Sequence, residues 1–266
     1  MNLVITGSST GIGRFLAEAL IRKGHATCRL ARSPQAGFAL QCDVSNWREM
    51  ERGARTVAQQ WNFVDGLICC AGSQGPIGPA MQADPEQWQK TVAVNLNGTY
   101  FTLRAFYGLL SRAPRRAKVI AFSGGGSTSP RPNFSAYGAS KTGIVRLVET
   151  VAEEWRGAPM DINAIAPGAI FTRMTEEVLA SGPQAAGPAE HERALKQQRD
   201  NGPLLEKVLG LVEFLLSERS DGITGKLISA PWDPWPRLPE HREELATSDI
   251  YSLRRIVPED RGKKWA

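Results

Sequence analysis

Short runs of apolar, often β-branched residues recur along the chain. Longer stretches between them return to an apolar residue every three or four positions. Leu3-Val4-Ile5 opens the series, and residues 26–30, 67–71, 119–122, 162–166 and 227–229 repeat it. Ile12, Phe15, Leu16, Ala19 and Leu20 fall on one helical face, as do Ile144, Val148, Val151 and Trp155. Strands that are apolar throughout and alternate with helices predict a parallel sheet covered on both faces. Right-handed crossovers on both sides make this a doubly wound, Rossmann-like α/β fold, in which ligands sit beyond the carboxyl ends of the strands. The residues just after each strand are therefore the ones to read for chemistry.

Two regions depart from the alternation. Residues 173–205 carry Ser181-Gly182-Pro183, Gly187-Pro188 and Asn201-Gly202-Pro203 around a polar, helix-like stretch. Breakers at both ends of such a stretch predict a substrate lid. After Ser229, the segment Ala230-Pro231-Trp232-Asp233-Pro234-Trp235-Pro236 ends any regular strand, and a polar tail follows. The expected organisation is a single catalytic domain over 1–230 and a short C-terminal tail over 231–266.

Composition narrows the class. A chain of 266 residues can bury a full core without disulfides or a structural metal. No run approaches the roughly 18 apolar residues of a membrane span, and no secretion signal is evident, so a cytoplasmic protein without a membrane partner is expected. The four cysteines, Cys28, Cys42, Cys69 and Cys70, lie in apolar strand-like stretches and read as reduced, buried thiols. His25, His191 and His241 are scattered and no cysteine–histidine spacing suits zinc, so no metal is expected. The net charge of +5 permits a nucleic-acid partner without requiring one, because acids interleave with the bases. The compact basic run Arg112, Arg115, Arg116 and Lys118 reads as a solvated loop rather than a binding patch.

The first strand runs straight into Thr6-Gly7-Ser8-Ser9-Thr10-Gly11-Ile12-Gly13 and then a helix. Glycines here let the backbone turn sharply and approach a pyrophosphate held on the N–H groups of the helix start. Tyr137 and Lys141, four residues apart, project from one face of a helix. A nearby ammonium favours the phenolate, so the lysine is expected to pull the tyrosine pKa down from its usual 10 toward the working range. With Asp43-Val44, Cys69-Cys70-Ala71-Gly72, Asn95, Tyr137-Gly138-Ala139-Ser140-Lys141 and Asn163-Ala164-Ile165-Ala166-Pro167-Gly168, this ordered set resembles the shorter branch of the short-chain dehydrogenase/reductase family. The resemblance covers roughly residues 1–230.

The resemblance implies an NAD(P)-dependent oxidoreductase that transfers a hydride between nicotinamide and a ketone or secondary alcohol. It implies a cofactor cradle of Gly7, Ser9, Thr10, Gly11, Ile12 and Gly13, with Asp43 and Val44 at the adenine and Ala71 and Gly72 after the fourth strand. Pro167, Gly168, Ile170 and Thr172 would pass the nicotinamide end. The family's NAD-selecting acidic position falls on Ala31, and Arg32 and Ser33 follow, so NADP(H) is expected and NAD(H) stays open. Tyr137 is the implied acid–base, Lys141 binds the nicotinamide ribose, and Asn95 completes a water-linked proton relay. A serine after the fifth strand would hold the substrate oxygen. The family count lands on Gly124; Ser123 is chosen because it directly follows the strand, and Ser127 is the alternative.

Cys69 and Cys70 stand where the family usually has asparagines, Gly124 to Gly126 leave room beside the tyrosine, and the usual Asp-Gly-Gly ending is missing. The triple glycine, the Trp-Asp-Pro-Trp stretch and the tail around Arg254 and Arg255 are similar to family members associated with bacterial cell-surface sugars. A sugar-type substrate is one expectation, with those arginines either clamping an anion or docking the tail against the body or a neighbouring subunit. Homodimers or homotetramers through the helices after Asn95 and around Tyr137 are also implied. The competing readings are an NAD-linked dehydrogenase of the same family, a nucleotide-sugar epimerase or dehydratase, and a non-catalytic dinucleotide-sensing protein.

Overall fold

A computed structural model describes residues 1–33, 36–199 and 202–265. Pro34, Gln35, Asp200, Asn201 and Ala266 lie outside them, which removes two residues of the expected lid, one of them the asparagine of its last breaker. Seven parallel strands form one sheet: β1 (Asn2–Thr6), β2 (Ala26–Ala31), β3 (Ala39–Gln41), β4 (Gly66–Cys69), β5 (Ala117–Phe122), β6 (Met160–Ala166) and β7 (Leu227–Ser229). Their order is β3-β2-β1-β4-β5-β6-β7, so the direction in which successive strands are added reverses between β1 and β4. That switch point opens a crevice at the carboxyl ends of the strands.

Helices cover both faces. On one lie α2 (Trp47–Gln60), α4 (Gly98–Leu110) and α5 (Ser135–Glu154). They bury Met50, Val57, Phe106, Leu110, Ile144 and Val148 against Val4, Leu67 and Val119. On the other lie α1 (Gly11–Arg22) and α8 (Gly202–Leu216), which bury Leu16, Leu20, Val212 and Leu215 against Leu3, Ile68 and Ile120. Each fully buried Leu or Ile contributes about 1.5–3 kcal/mol, so the two faces together drive the assembly. A short helix α3 (Pro85–Val92), capped by Asp84, runs through a π-helical turn (Ala93–Asn97) into α4. The strand and helix expectations thus hold, with ends displaced by a residue or two.

The region after β6 is more ordered than its breakers suggest. It forms α6 (Arg173–Ala186), kinked at Gly182, and α7 (Pro188–Arg199). The expected lid stretch also runs into α8, whose apolar face belongs to the main core. The tail is docked, not solvated. Trp235 donates to the Ala230 carbonyl at 3.2 Å and packs against Phe214, while Leu238 and Leu245 (on α9, Arg242–Thr247) are buried. The Tyr251 carbonyl accepts from Leu227 N–H at 2.8 Å on the outer edge of β7. Among the described residues no helix is long and apolar enough to cross a membrane.

The basic run is not a solvated loop throughout. Lys118 lies inside β5 with its side chain 3% exposed, donating to Asp161 at 2.8 Å and Ser220 at 3.1 Å and paired with Asp221 at 2.6 Å. Arg116 also bonds Asp161, and Arg115 pairs with Glu218. Acids distant in sequence absorb these charges, so the run presents no basic patch. Breaking a buried pair costs about 3–5 kcal/mol because a charge is left unpaired. Asp161→Ala should therefore lower unfolding stability by about 3 kcal/mol or more in urea titrations; a loss under about 0.5 kcal/mol would contradict this account of the network.

Candidate active site

A cavity of about 1010 Å³ runs along the carboxyl ends of β1, β2, β4, β5 and β6. The loop after β1 forms its floor: Gly7, Ser9, Thr10, Gly11, Ile12 and Gly13 all line it. Gly7 has φ +67°, a left-handed conformation that favours glycine. A Cβ on Gly7 would lie 2.6 Å from Ala71 Cα, and one on Gly13 would lie 2.4 Å from the Gly7 carbonyl oxygen. Gly7 is therefore drawn against the end of β4 and Gly13 against Gly7, and neither position has room for a side chain. Backbone is presented at the start of α1, an arrangement suited to a pyrophosphate.

Arg32, exposed at the end of β2, lines the cavity, as do Asp43 and Val44. Asp43 Oδ1 accepts from the Ser45 backbone (2.9 Å) and hydroxyl (2.6 Å), which fixes the carboxylate in its turn. Ser33 is exposed but is not part of the wall. Ala71, Gly72, Pro167 and Thr172 also line it, whereas exposed Gly168 and buried Ile170 do not. Thr172 caps α6, and its methyl lies 3.6 Å from where a Cβ on Gly11 would stand. The chain after β6 thus returns to the phosphate loop. The residues present fit a dinucleotide: a glycine loop that presents backbone at one end, and the exposed Arg32 cation in the same cavity.

Tyr137 and Lys141 lie one turn apart on α5, both buried, and both face this cavity. Lys141 Nζ donates to the Phe122 carbonyl at the end of β5 at 2.8 Å. Burial holds its pKa down at about 8. Tyr137 does not follow the sequence-based expectation. Burial pushes its pKa above the usual tyrosine range, and the Arg131 cation only partly offsets this. The ammonium expected to lower it is turned onto the Phe122 carbonyl, 5.6 Å from the centre of the tyrosine ring.

Asn95 sits in the π-helical turn, fully buried behind the cavity wall. Its amide donates to the Ser73 carbonyl (3.0 Å) and the Ser140 hydroxyl (2.9 Å), and its oxygen accepts from Ser73 N–H (2.8 Å). Ser140 in turn donates to the Tyr137 carbonyl at 2.8 Å. Asn95 therefore ties the loop after β4 to the catalytic turn of α5. A Cβ on Gly72 would lie within 3.3–3.5 Å of Asn95 Oδ1, Lys141 Nζ and Met174 Cε, which shows how closely these groups converge.

Ser123 is buried in the wall, and its hydroxyl contacts the Lys141 carbonyl at 3.4 Å. Ser127 is also buried, is not part of the wall, and bonds the Gly124 carbonyl through its N–H. Gly124 lies directly under the tyrosine: a Cβ there would be 2.3 Å from Tyr137 Oη. The triple glycine thus lets the hydroxyl approach the β5 loop backbone.

Several site groups have no sequence signal. Phe134, Val178, Ala186 and Ala194 pack with Tyr137 as a small apolar cluster, flanked by Ile77, Met174 and Leu179. Gln87, Lys90, Thr91, Arg173, Glu177 and Ser181 supply polar groups elsewhere in the cavity. Arg173, Glu177 and Ser181 repeat every four residues along α6, but nothing in the sequence links α3, α6, α7 and the loops that carry Ile77 and Phe134 to one site, so only the folded chain collects them. Arg254 is not brought to this cavity. It pairs with Asp249 and Asp260, and its neighbour Leu253 accepts from Arg146 and donates to Glu149 beside a separate cavity of about 620 Å³.

Comparison with known proteins agrees with this geometry. The profile of the short chain dehydrogenase family matches residues 1–182. The chain is 27% identical to the short chain dehydrogenase pigC of Monascus ruber over 95% of this chain and 85% of that protein. It is 29% identical to the 3-oxoacyl-[acyl-carrier-protein] reductase MabA of Mycobacterium bovis, over 85% and 90%. The aldohexose dehydrogenase AldT of Thermoplasma acidophilum superposes with a TM-score of 0.75 at 22% identity, covering 86% of this chain and 91% of that one, a likeness of fold. With more than half its length matched and the glycine loop, tyrosine and lysine gathered in one cavity, the chain belongs to the short-chain dehydrogenase/reductase family of oxidoreductases, which act on CH–OH and C=O groups with NAD(P)(H).

Proposed function

We propose that this protein is an NADP(H)-dependent reductase or dehydrogenase of a ketone/secondary alcohol pair, with Tyr137 as its acid–base group. One observation carries the reading: Tyr137 and Lys141, both buried, face the cavity whose other end is the glycine loop Gly7–Gly13. The nicotinamide cofactor, when bound, supplies the hydride, and the protein supplies orientation and polarisation. Tyr137 donates its hydroxyl proton to the substrate oxygen in reduction and takes it back in oxidation. Lys141, with a pKa of about 8, exchanges protons near neutral pH and stands by the ribose position. Asn95 holds the Ser73 loop and α5 in register for this transfer, and we keep it as the far end of a water-linked relay.

We assign the substrate-oxygen contact to Ser123. Its 3.4 Å contact with the Lys141 carbonyl is long for a hydroxyl hydrogen bond and yields readily to a better acceptor. Arg32 supports the choice of NADP(H), since a guanidinium can give a 2′-phosphate two charge-assisted bonds. Asp43 and Val44 border the adenine position, and Ile170 and Thr172 the nicotinamide end. Ile77 and Met174, which line the cavity where they pack against the Tyr137 cluster, with polar groups elsewhere, favour a substrate apolar next to its carbonyl and polar further out. A sugar derivative fits only if it carries such an apolar flank. Exposed Tyr100 and Tyr107 on α4 support a homodimer or homotetramer built on that helix. The four free thiols support a cytoplasmic setting.

An NADPH-oxidation screen of ketones, including keto sugars, tests the activity. On any substrate found, Tyr137→Phe should lower kcat roughly 10²–10⁴-fold, the usual weight of a positioned proton donor, while NADPH still binds. A variant with unchanged kcat would remove Tyr137 from the reaction. Arg32→Ala should weaken NADPH about 10–100-fold in a fluorescence titration and leave NADH nearly unchanged. Equal effects on the two cofactors would remove the assignment to NADP(H).

A further inference from the structure

Arg131 stands in the loop between β5 and α5, between Pro130 and Pro132. Its guanidinium carbon is 3.9 Å from the centre of the buried Phe134 ring and 5.6 Å from that of Tyr137. Nε and Nη2 both donate to Glu190 Oε2, at 3.0 and 2.8 Å, with both side chains about four-fifths buried. Glu190 occupies the first turn of α7, and its other oxygen accepts from Arg193 at 2.7 Å. The same helix pair packs Val178, Ala186 and Ala194 onto Phe134 and Tyr137. At Gly187 (φ +90°), between α6 and α7, the chain also passes the Asn133 side chain of the same loop. The cation beside the tyrosine is thus held by an acid on the covering helix.

The geometry points to Arg131 as a positioning residue for Tyr137, with its positive charge divided between the tyrosine and Glu190 of α7. Lys141 Nζ stands at the same 5.6 Å from the tyrosine ring centre, but it is held by the Phe122 carbonyl at the end of β5, whereas Arg131 is the cation tied to the covering helix. Coulomb attraction falls with distance, so the phenolate form is favoured by Arg131 and opposed, more weakly, by the more distant Glu190. Any movement of α7 that lengthens the ion pair leaves more positive potential at the tyrosine. Covering the site and tuning its acid–base group are then one event. Among the described residues, other charged or titratable groups on the elements around Tyr137 include Cys70 just after β4, Lys141 on α5, and His191 and Arg193 on α7; Lys90 of α3 and Arg173 and Glu177 of α6 also line the cavity.

The inference rests on Tyr137 being the acid–base group, but its test needs no turnover. Tyrosinate absorbance is titrated in the full-length protein, and the signal of Tyr137, one of four tyrosines, is isolated by subtracting Tyr137→Phe in the same background. Four backgrounds are compared: wild type, Arg131→Gln, Glu190→Gln and the double variant. Circular dichroism at each pH separates titration from unfolding. Removing the acid leaves the cation unopposed, so Glu190→Gln should move the midpoint down by about half a pH unit or more. Arg131→Gln should move it up, and the double variant should fall between wild type and Arg131→Gln. If Arg131→Gln does not fold, the downward shift in Glu190→Gln alone decides. Midpoints within about 0.2 unit of wild type, or a rise in Glu190→Gln, overturn the proposal. A purely structural pair would lower thermal stability without moving the midpoint. The predicted order of midpoints with no turnover on any ketone would sink the reductase reading and leave this one standing.

Discussion

The burial of a single turn of α5 against the end of β5 is the constraint on which the site depends. Taking a tyrosine and a lysine out of water disfavours the charged form of each, so the tyrosine pKa rises and that of the lysine falls to about 8. At neutral pH the tyrosine therefore holds its proton, the state required of an acid. The turn is tolerated because its polar groups are met: Lys141 by the Phe122 carbonyl, and Ser140 by Asn95 and the Tyr137 carbonyl. The glycine run after β5 removes the side chain that would otherwise collide with the tyrosine hydroxyl.

Around this turn the fold supplies two close approaches. The phosphate loop is drawn onto the end of β4, and the chain after β6 comes back to it through Thr172. Both follow from the switch point between β1 and β4, which opens the crevice where parallel strands part. The helices after Thr172 then lay an apolar surface on Phe134 and Tyr137, so water is displaced from the tyrosine by side chains distant in sequence. Low local polarity strengthens the effect of each remaining charge there, which makes the Arg131–Glu190 pair consequential.

The sequence made the sheet, the glycine loop and the Tyr137–Lys141 face legible because each is written locally, in period or in spacing. The tail was legible only as docked or clamping an anion: Trp235, Leu238 and Leu245 are three and seven residues apart, but Pro234, Pro236 and Pro239 interrupt that helical spacing, and each anchor finds its partner across the fold. The role of Lys118 was hidden for the same reason: its acids stand more than 40 residues away. The direction of the tyrosine shift was missed because spacing places the lysine on the same face but does not say how deeply the tyrosine is buried, and burial is the larger effect. Arg131, set between prolines, had no pattern at all. Local chemistry could be read along the chain, whereas competition among distant partners required the folded structure.

A crystal structure with NADPH bound is the most direct test that this cavity places a dinucleotide for chemistry at Tyr137. The account predicts the pyrophosphate on the backbone of Gly7–Gly13 and the 2′-phosphate at Arg32. It also predicts the nicotinamide C4 facing Tyr137 Oη, with room for a carbonyl whose reacting atoms can approach to about 3–3.5 Å. A nicotinamide directed away from Tyr137, or a cofactor seated in the smaller cavity beside Arg146 and Lys226, would contradict it.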